Sequence, residues 1–186
     1  MPVRLNAHNS ALILIDVQGK LARMMPDVSG LLARIGALLQ AADKLGVPII
    51  WLEQNPQGLG ATLPELSALL AGRQPIIKQH FDACAEPDIH QRLSELTAEH
   101  LVVCGIEAHV CVYQTAMGLL ALGKQVHVPV DAVASRYDEA RQLAVTRLAQ
   151  EGARLSNTDM LLFEWLGSAK HPEFRSVLEL IKGLSH

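Results

Sequence analysis

The chain has 186 residues and a net charge of −3, and it is 49% hydrophobic but only 4% aromatic. That length can bury most apolar side chains without disulfide or metal support, and a core so poor in rings must rest on Leu, Val, Ile and Ala. No basic surplus exists to neutralise phosphates, which argues against nucleic acid as a partner. No apolar run is long enough to span a bilayer, and "MPVRLNAHNS" lacks the pattern of a secretory leader, so a cytoplasmic protein with no membrane partner is expected.

Taken in chain order, "ALILIDV" (11–17) is a short apolar run ending in an acid, as expected of a strand covered on both faces. "VSGLLARIGALLQAADKLG" (28–46) has helical spacing and a glycine where a helix stops. "VPIIWLE" (47–53) reads as a second strand, and "QNPQGLGATLPEL" as a loop leading into a short helix. Ile76 and Ile77 suggest a short strand with Lys78 at its end. A helix over 87–100 and a buried strand over 101–106 follow. The pattern continues with a helix over 109–123, a strand over 125–133, a helix over 135–152, a last short strand in "ARLSN" and two closing helices. Strands alternate with helices throughout, which predicts an α/β fold. The expected form is a three-layer, mostly parallel open sheet of about six strands, as one domain over 1–186.

In such sheets a ligand site forms outside the carboxyl ends of the strands, where the strand order reverses. Asp16, Glu53, Lys78 and the 105–111 turn all fall at that edge. An acid, an ammonium group and a thiol gathered there can act as proton acceptor, electrostatic anchor and nucleophile. Cys111 sits in the first turn of a helix, where unpaired N–H groups and the positive end of the dipole favour thiolate; packing is the competing reading, since free Cys is often buried. For Asp16 the alternative is a turn residue, and for Lys78 a surface lysine beside an edge strand.

Cys84, Cys104 and Cys111 make an odd number at spacings that fit neither a disulfide framework nor a zinc site, so reduced thiols are expected. Cys104 lies inside an apolar strand and is assigned to packing. Among the histidines, His109 stands two residues before Cys111, a spacing at which helical side chains do not face each other. His80 lies two residues after Lys78, with nothing to fix it toward the same cleft. His8, His90, His100, His171 and His186 read as solvated or helix-end residues, and the direction of His127 is open.

These segments resemble the isochorismatase-like cysteine hydrolases, a family that includes nicotinamidases and N-carbamoylsarcosine amidase. "LILIDVQGKL" is similar to the family's first strand, "IIKQHFDA" to its lysine segment and "VVCGIEAHVCV" to its glycine-to-cysteine turn. The likeness runs on through "VHVPVDAVASR" and "EGARLSNTDMLLFEWLG". Within the family, "WLEQNPQGLGATLPEL" is most similar to the isochorismatase domain-containing proteins of unassigned substrate.

The resemblance implies a triad of Asp16, Lys78 and Cys111. It also implies a cis peptide between Ile106 and Glu107 that sets the N–H of Glu107 beside that of Cys111 as an oxyanion hole. Where nicotinamidases carry an Asp-x-His metal motif, this chain has Glu53, Gln54 and Asn55, so no metal is expected and nicotinamide is not the expected substrate. Isochorismatase itself lacks the cysteine, which argues against vinyl-ether hydrolysis. The expected activity is hydrolysis of a small amide, or a related C–N or ester bond, through a thioester and without a cofactor. Gln18, Glu53, Gln54 and Phe81 are candidates for the substrate-binding wall, with loop surface as their alternative.

A homo-oligomer is expected from the apolar content and the closing helices. The rival from a different class is a non-catalytic oligomeric interaction protein on the same scaffold. An oxidoreductase on such a sheet would need a Gly-rich turn, and "DVQGKL" after the first strand contains no G-x-G-x-x-G.

Overall fold

The first run of apolar residues, β1 (Ser10–Ile15), is buried at all six positions. Its side chains divide by the period of two expected of a strand. Leu12 and Leu14 enter one core, and Ala11, Ile13 and Ile15 the other. A computed structural model describes residues 4–184; the readings made on Met1 to Val3 and on His186 lie outside it.

After β1 come α1 (Gly19–Arg23), α2 (Val28–Leu45), β2 (Ile49–Gln54), the short helices α3 (Pro56–Leu59) and α4 (Pro64–Ser67), and β3 (Ile76–Lys78). The chain continues through α5 (Pro87–Glu95), β4 (His100–Ile106), a π-helical turn at Ala108–Val112, and α6 (Tyr113–Ala121). It ends with β5 (Gln125–Pro129), β6 (Val133–Ala134), α7 (Asp138–Gln150), β7 (Arg154–Ser156), α8 (Thr158–Leu166) and α9 (Phe174–Lys182).

The strands form one seven-stranded sheet in the order β3-β2-β1-β4-β5-β7, with the two-residue β6 pairing β4 off that path. Every strand pair is parallel. One face is covered by α2, α8 and α9, whose Leu31, Ile35, Leu38, Leu161, Trp165 and Val177 share a core. The other is covered by α5, α6 and α7 through Ile89, Leu93, Ala116, Leu119, Ala144 and Leu148. Full burial of each such leucine contributes roughly 1.5–3 kcal/mol. This is the expected three-layer α/β architecture.

The register of α2 shows how local sequence sets these layers. The side chain of Asp27 accepts from the Gly30 N–H at 3.0 Å and caps the helix, and Gly46 ends it in the left-handed region at φ 70°. Among the described residues no helix is long and apolar enough to cross a membrane.

Some expected boundaries move. The single strand expected over 125–133 breaks at Pro129, beyond which the Ala132 N–H turns back to the Pro129 carbonyl and β6 joins β4 instead. The helix expected over 87–100 stops at Glu95, because Leu96 is extended. The helix expected from 135 begins at Asp138, and the one expected from 109 opens with the π-helical turn. His100, read as solvated, is 1% exposed in β4, and its Nδ1 lies 2.9 Å from Nε2 of the buried His127.

Two consequences can be measured. Gly105 pairs with Ile15 at φ +122°, and a Cβ there would stand 2.0 Å from the Ile15 carbonyl oxygen. Gly105→Ala is therefore expected to cost ~3 kcal/mol or more, a fall of roughly 10 °C in thermal midpoint. His127 is held down to about 4, first by burial and then by His100 and Arg154. The unfolded chain binds that proton more tightly than the fold does. Stability should thus fall as pH drops from about 6.5 to about 4, with a slope of at most ~1.4 kcal/mol per pH unit. Denaturant unfolding across that range should show a flatter slope for His127→Asn.

Candidate active site

From β1 the sheet extends through β2 to β3 on one side, and from β4 through β5 to β7 on the other. The strand order thus reverses between β1 and β4, and a crevice opens past their carboxyl ends. Asp16 is the first residue beyond β1 and takes a left-handed backbone at φ 53°, a region that Asp tolerates better than most side chains. Its N–H reaches the Leu52 carbonyl at 3.3 Å, and its carbonyl accepts the Gln18 N–H at 2.8 Å.

Lys78 ends β3, on the far side of β2, where its register partner is Gln54. Two strand spacings separate β3 from β1, about 10 Å, so only a long side chain can bring a charge back to Asp16. Lys78 Nζ lies 2.7 Å from Asp16 Oδ2. It also donates to Gln54 Oε1 at 2.6 Å and to the His80 carbonyl at 3.3 Å. The Lys78 side chain is 0% exposed and that of Asp16 3%.

Cys111 arrives on the π-helical turn that follows β4, close enough to Asp16 and Lys78 for both charges to act on its thiol. The three residues singled out in sequence therefore meet in one crevice. Cys111 retains 7% exposure, whereas Cys104 retains none.

The electrostatics correct one expectation. Instead of a resting thiolate, burial and then the Asp16 carboxylate push the Cys111 thiol up to about 12, against a smaller opposing pull from Lys78. Asp16 is itself raised above the ordinary carboxylate range by burial, which outweighs Lys78, Cys111 and the Gln54 backbone acting in the other direction. Each of these groups thus holds a proton more tightly than it would in water. Burial also raises Cys84 and Cys104 to about 12.

The Ile106–Glu107 peptide bond is cis. The Glu107 carbonyl accepts from Val110 and Val112 at 3.0 and 3.2 Å. Its carboxylate takes the Arg136 backbone N–H at 3.1 Å and the guanidinium through Nε at 3.0 Å and Nη2 at 3.3 Å. Arg136 had no role in the sequence reading. Its only signal was its place in "VASR".

The four wall candidates differ in what they touch. The Gln18 amide binds main chain, donating to Gln54 O at 3.1 Å and Gly60 O at 2.6 Å and accepting the Gln54 N–H at 2.7 Å. Glu53 Oε1 accepts from the Thr62 N–H and hydroxyl, both at 2.7 Å, and Trp51 Nε1 donates to that hydroxyl oxygen at 2.8 Å. Gln54 binds Lys78 through its oxygen and Gln79 O through its nitrogen. Phe81 alone has a largely open ring, at 52% exposed.

Of the two nearby histidines, His80 pairs with Glu86 and His109 with the Ser135 hydroxyl, each at 2.9 Å. A cleft of about 350 Å³ on the same edge, walled by Asp27, Arg34, Asp131, Ser135 and Arg141, is lined by none of the three central residues. Among the described residues no three His, Cys, Asp or Glu side chains are grouped to hold a metal ion.

The balance of charges yields a measurable expectation. Asp16→Asn removes the carboxylate that lifts the thiol and should move Cys111 ionisation downward from about 12; Lys78→Met should move it upward. The pH dependence of iodoacetamide alkylation at Cys111, read by mass spectrometry, measures both.

Comparison with known proteins places this geometry in context. The family model for the isochorismatase domain matches residues 10–160. Isochorismatase domain-containing protein 2 of Macaca fascicularis is 39% identical over 175 residues, covering 94% of this chain and 83% of that protein. A solved structure described as MAR1 ribonuclease from Caenorhabditis elegans superposes with a TM-score of 0.90 at 38% identity, covering 97% of this chain and 93% of that one. The Escherichia coli YcaC gene product, described as an octameric hydrolase of unknown specificity, shares the fold with a TM-score of 0.85 at 23% identity, covering 100% and 99%.

Proposed function

The chain belongs to the isochorismatase family, a hydrolase family, and from that premise we propose that it is a cysteine-dependent hydrolase of a small amide or a related C–N or ester bond. The observation that carries this reading is the buried 2.7 Å Asp16–Lys78 ion pair with the Cys111 thiol within electrostatic reach of both partners.

The chemistry follows from the resting protonation. Cys111 begins as a neutral thiol beside a carboxylate whose raised proton affinity suits it to act as base. As a carbonyl carbon approaches, the thiol proton passes to Asp16 and the sulfur forms the C–S bond. The oxyanion that develops faces the N–H groups of Glu107 and Cys111; one such donor is typically worth about 10² to 10³ in rate. Asp16 then gives its proton to the leaving nitrogen as the C–N bond breaks, leaving a thioester. Water loses a proton to Asp16 and attacks the thioester, the acid departs, and the proton returns to sulfur. Lys78 orients Asp16 and stabilises its anionic form throughout. Each step is complete with these three side chains, two backbone amides and water, so no cofactor or metal enters the proposal.

The ring of Phe81 supplies an apolar wall for a small substrate, while Gln18, Glu53 and Gln54 shape the crevice from behind, through the main-chain, Thr62 and Lys78 contacts described above. A homo-oligomer is part of the same proposal, supported by the exposed Tyr137 and Leu143 at 65% and 62%. Those side chains also favour the second reading, a non-catalytic assembly protein.

Turnover separates the two. Cys111→Ala is expected to abolish hydrolysis across a panel of small amides and carbamoyl compounds while leaving circular dichroism and thermal midpoint near wild type. Undiminished hydrolysis by that variant, or no hydrolysis of any panel member by wild type, would favour the assembly reading. Wild-type kcat/KM should rise with pH through the raised Asp16 ionisation, since the base must be unprotonated, and not at the ordinary carboxylate value.

A further inference from the structure

Lys78 has three N–H donors to place in a region without exposure. One meets Asp16 and one the His80 carbonyl; the shortest contact, 2.6 Å, is to the side-chain oxygen of Gln54. That amide is itself held at every point. Its nitrogen donates to Gln79 O at 2.7 Å, its backbone N–H donates to Gln18 Oε1 at 2.7 Å, and the Gln18 amide in turn reaches Gly60 O in the loop after β2. A side chain fixed in this way has no freedom to adapt to different substrates. It is built to hold something in place.

The identity of the residue matters as much as its position. β2 ends in Glu53 and Gln54, whose side chains leave the strand on opposite faces. The carboxylate is the one turned away, onto Thr62, and the neutral amide is the one turned toward Lys78. The charged and ionisable groups facing Asp16 are therefore Lys78 from β3 and Cys111 from the π-helical turn. Close by, the His80 ring is turned onto Glu86.

We propose that Gln54 is a positioning residue for this site: its side-chain oxygen fixes the Lys78 ammonium opposite Asp16, and its lack of charge leaves that ammonium undivided for a single carboxylate. The inference rests on the hydrolase reading for its consequence in turnover, but not for its effect on Cys111.

An isosteric charge tests it. In Gln54→Glu a second carboxylate shares Lys78, so Asp16 loses part of its counter-charge and holds its proton more tightly. The acid limb of kcat/KM should move up by about one pH unit or more, and alkylation of Cys111 at a fixed pH should slow about tenfold. Gln54→Met keeps the shape without the acceptor. It should lower kcat about tenfold with KM little changed, and should shift the limb less than the Glu variant does.

A role confined to folding would lower the thermal midpoint of both variants while leaving the limb and the alkylation rate at wild-type values, and that result overturns the proposal. If Gln54→Glu does not fold, an unchanged kcat in Gln54→Met overturns it equally. Alkylation needs no substrate, so the two readings fail separately. A wild type that hydrolyses nothing, yet whose Cys111 labelling slows in Gln54→Glu, removes the hydrolase reading and keeps this one; a Cys111-dependent hydrolysis indifferent to Gln54 does the reverse.

Discussion

The structure is organised around one ion pair that an apolar core would ordinarily exclude. Lys78 and Asp16 meet at 2.7 Å with side-chain exposures of 0% and 3%. Desolvating both charges costs several kcal/mol per ion, and their attraction offsets this only when geometry is good and the remaining hydrogen-bonding positions are filled. The surroundings meet that condition on the lysine side, whereas among the described residues neither Asp16 carboxylate oxygen accepts a hydrogen bond beyond the ion pair itself. Gln54 and the His80 carbonyl take the other two Lys78 donors, and Gln18 holds Gln54. A buried pair of this kind adds little net stability compared with well-packed apolar residues, so its place at the mouth of the sheet is better understood through its effect on the neighbouring sulfur.

That effect depends on topology. Three segments separated by tens of residues converge because β1 and β4 lie side by side at the reversal of strand order, while β3 lies two strands away. The glycine at Ile15's register partner lets β4 press close against β1, and the π-helical turn then carries Cys111 back over the end of β1. The loop after β2 is tied to the same place, with Gly19 N–H on Ala61 O and Leu63 N–H on Val17 O. The rim of the crevice and its floor are thus one hydrogen-bonded unit.

Much of this was legible in the residues. Unbroken apolar runs such as 11–15 announced strands covered on both faces, and the order of acid, lysine and cysteine at strand ends pointed to a site. What escaped was long-range or directional. The run 125–133 looks continuous in hydropathy, but Pro129 lacks an N–H and the chain leaves β5 there for β4. His100 reads as a polar end residue until its partner, 27 positions away, is brought against it. The partnership of Glu107 with Arg136 is invisible for the same reason. The state of the thiol was misjudged because a helix-start argument counts only local dipoles, whereas burial and the Asp16 charge, both tertiary, dominate.

A buried sulfur that keeps its proton has a consequence of its own, whatever the site acts on. Hydroperoxides and circulating disulfides attack the anion and leave the neutral thiol largely alone. With Cys111 held at about 12, the resting protein should pass through oxidative episodes without climbing toward sulfenic or sulfinic acid. Burial first, and the Asp16 carboxylate second, shield the sulfur from such reagents.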